Sequence, residues 1–168
     1  KTGPARELWR TDGTTTALWT DINPGAGYSS PHFLVASGGR LFLVAEDATH
    51  GEELFSTDGA TPATLVADIY PGGDDSDPEE LAAFGDGRVL MSAEDPAHGY
   101  EPWIADSTGA NFLGDIWPGS GDSDAREFFV RDGYAYFQAR RIDIGRELFA
   151  TDGSTVTLLK DILPGTDG

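Results

Sequence analysis

Two short phrases return in step along this chain, and their spacing limits what it can fold into. ELWRTDGT (7–14) comes back as ELFSTDGA (53–60), EPWIADSTGA (101–110) and ELFATDGS (147–154). DINPG (21–25) comes back as DIYPG (68–72), DIWPG (115–119) and DILPG (161–165). Successive copies of the leading Glu lie 46, 48 and 46 residues apart, and successive copies of the Pro 47, 47 and 46. A repeat of this length is one supersecondary unit that buries its apolar face only by stacking on its neighbours. A residue present in every copy therefore reads first as structural, because one active site seldom needs four copies of itself.

Within a unit the pattern is that of four short strands. HFLVAS, RLFLVAED, EELFSTD and TLVADIY make the first full set. LAAFGDG, RVLMSAED, EPWIAD and NFLGDIW make the second, and EFFVRD, YAYFQAR, RELFATD and TVTLLKDI the third. Each is bounded by Gly, Asp or Pro, and no helical period is sustained over ten residues. The second strand is decisive. Leu41 to Ala45 and Val89 to Met91 are apolar at every position, so both faces of the sheet are expected to be covered. Gly38-Gly39, Asp86-Gly87 and Asp132-Gly133 stand where hairpin turns belong. The predicted fold is all-β: a β-propeller-like array of four-stranded antiparallel blades, about three and a half repeats long. The expected division is one domain over 1–168, with a partial blade at 1–30 and blades at 31–77, 78–124 and 125–168. Because the frame opens and closes in mid-array, a longer parent chain or a joining of two copies is expected.

Composition narrows the partners. The net charge is −18, from 29 acidic and 11 basic residues among 168, which argues against nucleic acid or an anionic membrane. There is no cysteine, so thiol catalysis and disulfides are excluded. No apolar run reaches the roughly 18 residues of a membrane helix, and direct membrane insertion is not expected.

The recurring polar residues have predicted structural roles. Asp12, Asp58, Asp106 and Asp152 precede Gly-containing turns and are expected to hold backbone N–H groups two residues on. Glu7, Glu53, Glu101 and Glu147 open the third strand, either bonding a neighbouring blade or facing water. Trp9, Phe55, Trp103 and Phe149 are expected to be equivalent core positions between blades. Three other groups could carry function. The acidic loops place Asp74, Asp75 and Asp77, then Asp122 and Asp124, where a calcium ion could find oxygen ligands. The loops lack the spacing of an EF-hand, and no cofactor is required. Tyr70 and Trp117 precede Pro-Gly where other copies carry Asn23 and Leu163, and are the candidates for a sugar platform. His50 and His98 read as turn residues. Asp143 with Glu94 or Asp95 are the acids that suggest a glycan hydrolase.

The phrases resemble the ELWxxDGT repeat of bacterial surface proteins, often called hyalin-like. Gly3 through Thr14, Thr64 to Gly72 and Ser76-Asp77-Pro78 follow its pattern, and the likeness extends over the whole chain. The resemblance implies secretion or surface display and a propeller-like or stacked β fold. It implies no catalytic residues. The third unit departs from it, with Arg140 to Gly145 in place of the His-Gly loop. The expected function is a non-enzymatic extracellular module for protein interaction, adhesion or assembly, with other chains or further repeats as partners. A lectin-like propeller binding glycans and a glycan hydrolase are the alternatives.

Overall fold

The computed structural model describes residues 6–25 and 27–165. Gly3, at the head of the first motif, lies outside them. The described residues form fourteen strands and no helix. β1 (Leu8–Thr11) and β2 (Thr16–Thr20) make a two-stranded sheet. β3 (His32–Ser37), β4 (Arg40–Asp47), β5 (Gly51–Thr57) and β6 (Thr64–Ala67) make a four-stranded one. β7 (Glu79–Gly85), β8 (Arg88–Asp95), β9 (Gly99–Asp106) and β10 (Gly109–Phe112) make the next. β11 (Arg126–Arg131), β12 (Tyr134–Arg141), β13 (Gly145–Thr151) and β14 (Val156–Lys160) make the last. Every neighbouring pair is antiparallel, and sheet order follows chain order.

Local chemistry accounts for the turns. Gly38-Gly39, Asp86-Gly87 and Asp132-Gly133 all have positive φ at both residues, the conformation whose twist suits a two-residue hairpin. The first strand of each sheet carries a bulge: the register shifts between His32 and Val35, Glu79 and Ala82, and Arg126 and Phe129. Phe33, Glu80 and Glu127 stand in those bulges with φ of 45°, 58° and 58°. A bulge bends its strand and tightens the local twist.

The sheets stack through their second and third strands. Phe42, Leu43, Val44 and Ala45 of β4 are fully buried, as are Val89, Leu90 and Met91 of β8. Leu43, Ala45 and Phe55 pack toward Leu8 and Ile22 of the first sheet. Phe42 and Leu54 pack toward Val89, Met91 and Ala93. Leu90 and Ile104 then face Ala135 of the last sheet. Neighbouring sheets come together at their first strands, β3 against β7 and β7 against β11.

β12 behaves differently. Ala135, Phe137 and Ala139 are buried, whereas Tyr134 and Tyr136 are exposed. Tyr136 stands in the repeat where Phe42 and Leu90 are buried. The outer face of the last sheet is open among the described residues.

Trp9 corrects an expectation. Phe55 and Phe149 are core residues, at 4% and 3% exposure, but Trp9 is 49% exposed. Trp103 is partly buried. The cause is the neighbourhood and not the register. Phe55 and Phe149 sit in strands paired on both sides. Trp9 sits in β1, which among the described residues pairs only with β2.

Candidate interaction surfaces and the joints between sheets

The buried glutamates hold the sheets together. Glu7, Glu53, Glu101 and Glu147 are all buried, and a buried carboxylate is costly unless it is hydrogen-bonded. Each collects backbone N–H donors from the turn that follows the last strand of its own sheet. Ile22 donates to Glu7 at 2.8 Å, Tyr70 to Glu53 at 3.1 Å, Trp117 to Glu101 at 2.8 Å and Ile162 to Glu147 at 2.8 Å. The linker to the next sheet adds a serine. The Ser29 hydroxyl donates to Glu7 at 2.6 Å and that of Ser76 to Glu53 at 2.5 Å. Burial pushes Glu53 and Glu101 up to about 7, against the pull of these donors.

The serines also clip backbone to backbone. Ser29, Ser76 and Ser123 are wholly buried. Their N–H groups donate to the carbonyls of Arg6, Glu52 and Tyr100, the residues just before each glutamate. Their carbonyls accept from Glu46, Glu94 and Arg140, in the second strand of the following sheet. One linker residue thus ties the third strand of one sheet to the second strand of the next. Of these serines the sequence pattern names Ser76 alone, within Ser76-Asp77-Pro78, and attaches no role to it. Their 47-residue spacing is the signal in the sequence that marks all three.

The acidic loop residues are placed around the same joint. Asp75 accepts the Glu52 N–H at 2.7 Å and Asp122 the Tyr100 N–H at 3.0 Å. This approach requires the glycines before them. A Cβ on Gly51 (φ 70°) would lie 2.5 Å from the Asp75 carboxylate, and one on Gly99 (φ 66°) 2.7 Å from that of Asp122. Asp77 accepts the Tyr100 hydroxyl at 2.8 Å, and Asp124 pairs with Arg146. Asp74 is exposed. Among the described residues, no three or more His, Asp or Glu side chains converge as a metal site. Crowding is nonetheless electrostatically evident. Burial and the nearby Asp77 raise Glu52 to about 7, and burial with Asp122 and Asp77 raises Glu94.

Turn acids behave as their sequence context suggests. Asp12 accepts from Thr14 and Thr15, Asp58 from Ala60 and Thr61, Asp106 from Thr108, and Asp152 from Ser154 and Thr155. Backbone donation from Thr61 and Ala60 holds Asp58 at about 2. Asp68 and Asp115 accept from Gly72 and Gly119 in the Pro-Gly turns.

The histidines lie in a second kind of turn. Asp47 accepts the His50 N–H at 2.8 Å and lies 2.9 Å from its Nδ1. Asp95 and His98 repeat this at 2.9 and 2.8 Å. Both imidazoles are raised, first by the bond to the aspartate. Asp95 is thus the counterpart of Asp47. Asp143 is held by Arg141 at 2.7 Å.

Tyr70 and Trp117 are half-buried. The Trp117 indole lies under the Arg140 guanidinium at 5.2 Å and against its own linker, where a Cβ on Gly121 would come into collision with it. The Trp117 ring therefore does not stand free.

What is exposed and apolar lies at the two ends. On the last sheet Tyr134, Tyr136, Leu148 and Leu159 share the open side with a groove of about 350 Å³. At the first sheet a cleft of about 460 Å³ runs beside β1, lined by Leu8, Trp9, Trp19, Leu34, Ala36 and Leu41 among others. Arg10 covers one side of Trp19, 3.6 Å above its ring. Comparison with protein-family models finds no match for this chain, and comparison with curated proteins finds none.

Proposed function

We propose that this chain is a non-enzymatic, extracellular β-propeller-type repeat module that serves protein interaction, adhesion or structural assembly. The blade reading draws support from three four-stranded meanders that approach one another at their first strands. Display outside the cell draws support from the likeness of the repeat to bacterial surface-repeat proteins. One observation carries the functional reading. The recurring buried glutamates and turn aspartates are occupied by backbone donors, whereas the large exposed apolar side chains gather on the end sheets and the first strands. Contiguous apolar surface of this kind marks an interaction site.

The partners are other protein chains or further repeats of the same type. The test is the state of the full chain in solution, by light scattering after size exclusion. The expected result is concentration-dependent association that Leu148→Lys and Tyr136→Lys on the last sheet abolish. A chain that stays monomeric at every concentration overturns the reading.

A further inference from the structure

The cleft beside β1 has a shape that the molecule describes three times over. In each four-stranded sheet the strand that carries the buried glutamate is flanked on one side by the second strand and on the other by the fourth. β1 is that strand in the first sheet, because Glu7 immediately precedes it and β2 takes the place of the fourth strand. Among the described residues nothing pairs with its other edge. The unpaired edge meets the apolar cleft, and the floor of that cleft comes from β3 and β4. On β3, Phe33 and Leu34 are about half exposed, at 47% and 53%. They stand where β7 and β11 each have a preceding first strand against them, β3 and β7 respectively. Edge and floor are thus open together, and together they have the outline of a hairpin.

We propose that the edge of β1 is a docking site for a β-hairpin with the first-strand and second-strand pattern of this same repeat. An exposed strand edge recruits a strand through its main-chain groups, and the side-chain pockets then choose which strand. The choice here is written in the three occupied copies. Opposite the glutamate stands an alanine each time: Ala45 faces Glu53, Ala93 faces Glu101 and Ala139 faces Glu147. All three alanines are fully buried. Opposite the aromatic that follows stand Leu43, Met91 and Phe137. The next pairs place Phe42, Leu90 and Tyr136 across from Ser56, Ile104 and Ala150. A hairpin on β1 therefore sets an alanine against Glu7, a large apolar residue against Trp9 and another against Arg10. Slipping by one residue turns every side chain to the other face and brings a larger group onto the buried carboxylate. The glutamate and its alanine partner thus fix the register.

The inference rests on the assembly reading only in taking the end sheets as binding surfaces. The experiment uses the full chain and a synthetic peptide with the sequence of residues 78–95, which covers β7 and β8. A second peptide carries Ala93→Trp. The first peptide is expected to bind one to one, to move tryptophan emission to shorter wavelength as Trp9 is covered, and to slow amide exchange at Leu8 to Thr11. The Ala93→Trp peptide is expected to bind about tenfold more weakly, the effect of overpacking a closed site. Absence of binding, equal binding of the two peptides, or protection on β14 in place of β1 overturns the inference. The two readings fail separately. A chain that self-associates yet ignores the peptide loses only the hairpin site. A chain that takes the peptide at β1 yet never self-associates loses the assembly reading and keeps the hairpin site.

Discussion

At the scale of single residues, one side chain is both the most costly and the most useful. Glu53 and Glu101 are fully buried, and desolvation lifts both to about 7 from an ordinary 4.5. A group whose folded value is raised adds stability that is complete below its unfolded value and is lost as the pH climbs through the folded one. Melting temperature is therefore expected to fall between about pH 4.5 and 7, and the Glu53→Gln, Glu101→Gln double variant to flatten that slope. A slope unchanged in the double variant would remove the glutamates as its source. Phe55 and Trp9 provide a second contrast, because they hold the same place in the repeat with opposite burial. Phe55→Ala should cost about 3 to 5 kcal/mol, and Trp9→Ala less than half as much, by denaturant unfolding. Equal costs would show that the first sheet is covered in solution.

At the scale of elements, pairing on both sides separates stable strands from marginal ones. β4, β5, β8 and β9 are central and buried. Among the described residues β1 and β2 pair only with each other, and a two-stranded ladder is marginal by itself. Amides of β4 and β8 should exchange slowest, and those of β2 should be among the fastest, since Thr16, Ala17 and Leu18 face solvent. Comparable protection in β2 and β4 would contradict the order given. Much of this was legible beforehand. The doubly apolar run from Leu41 to Ala45 announced a strand covered on both faces, and Gly38-Gly39 and its counterparts announced the hairpins. Asp12, Asp58, Asp106 and Asp152 announced their turns, because that bond is local and needs only the next three residues. The rest depends on what lies across from a residue. Trp9 and Phe55 have the same local sequence and differ only in neighbours. The glutamates, expected to bond a neighbouring blade or face water, do neither, since their donors come from the end of their own unit and the linker after it. Phe33, Glu80 and Glu127 take left-handed backbone with no glycine to signal it, because the stacked sheets impose the bulge. Ser29, Ser76 and Ser123 were visible as a spacing, but a serine carries no chemistry that demands burial until a carboxylate is placed beside it.

At the scale of the whole molecule, two forces oppose each other. A net charge of −18 opposes the approach of copies at long range, while the apolar side chains exposed on the first and last sheets would favour contact at short range. Raising salt shortens the screening length, about 10 Å at 0.1 M, and leaves the apolar term in place. Self-association is therefore expected to strengthen with sodium chloride, in sedimentation at several ionic strengths. Weakening with salt would mean that ion pairs hold the contact. The linker serine has a further consequence. Because it ties the strand behind it to the strand ahead of it through main chain, a unit carries its own joint wherever it is placed. Duplicating one stretch of about 47 residues, the period of the repeat, would add a sheet already fitted to both neighbours. Such a lineage can change its length by recombination alone, and natural variation in copy number should then come in whole units, with the breakpoints free to fall at any phase of the repeat.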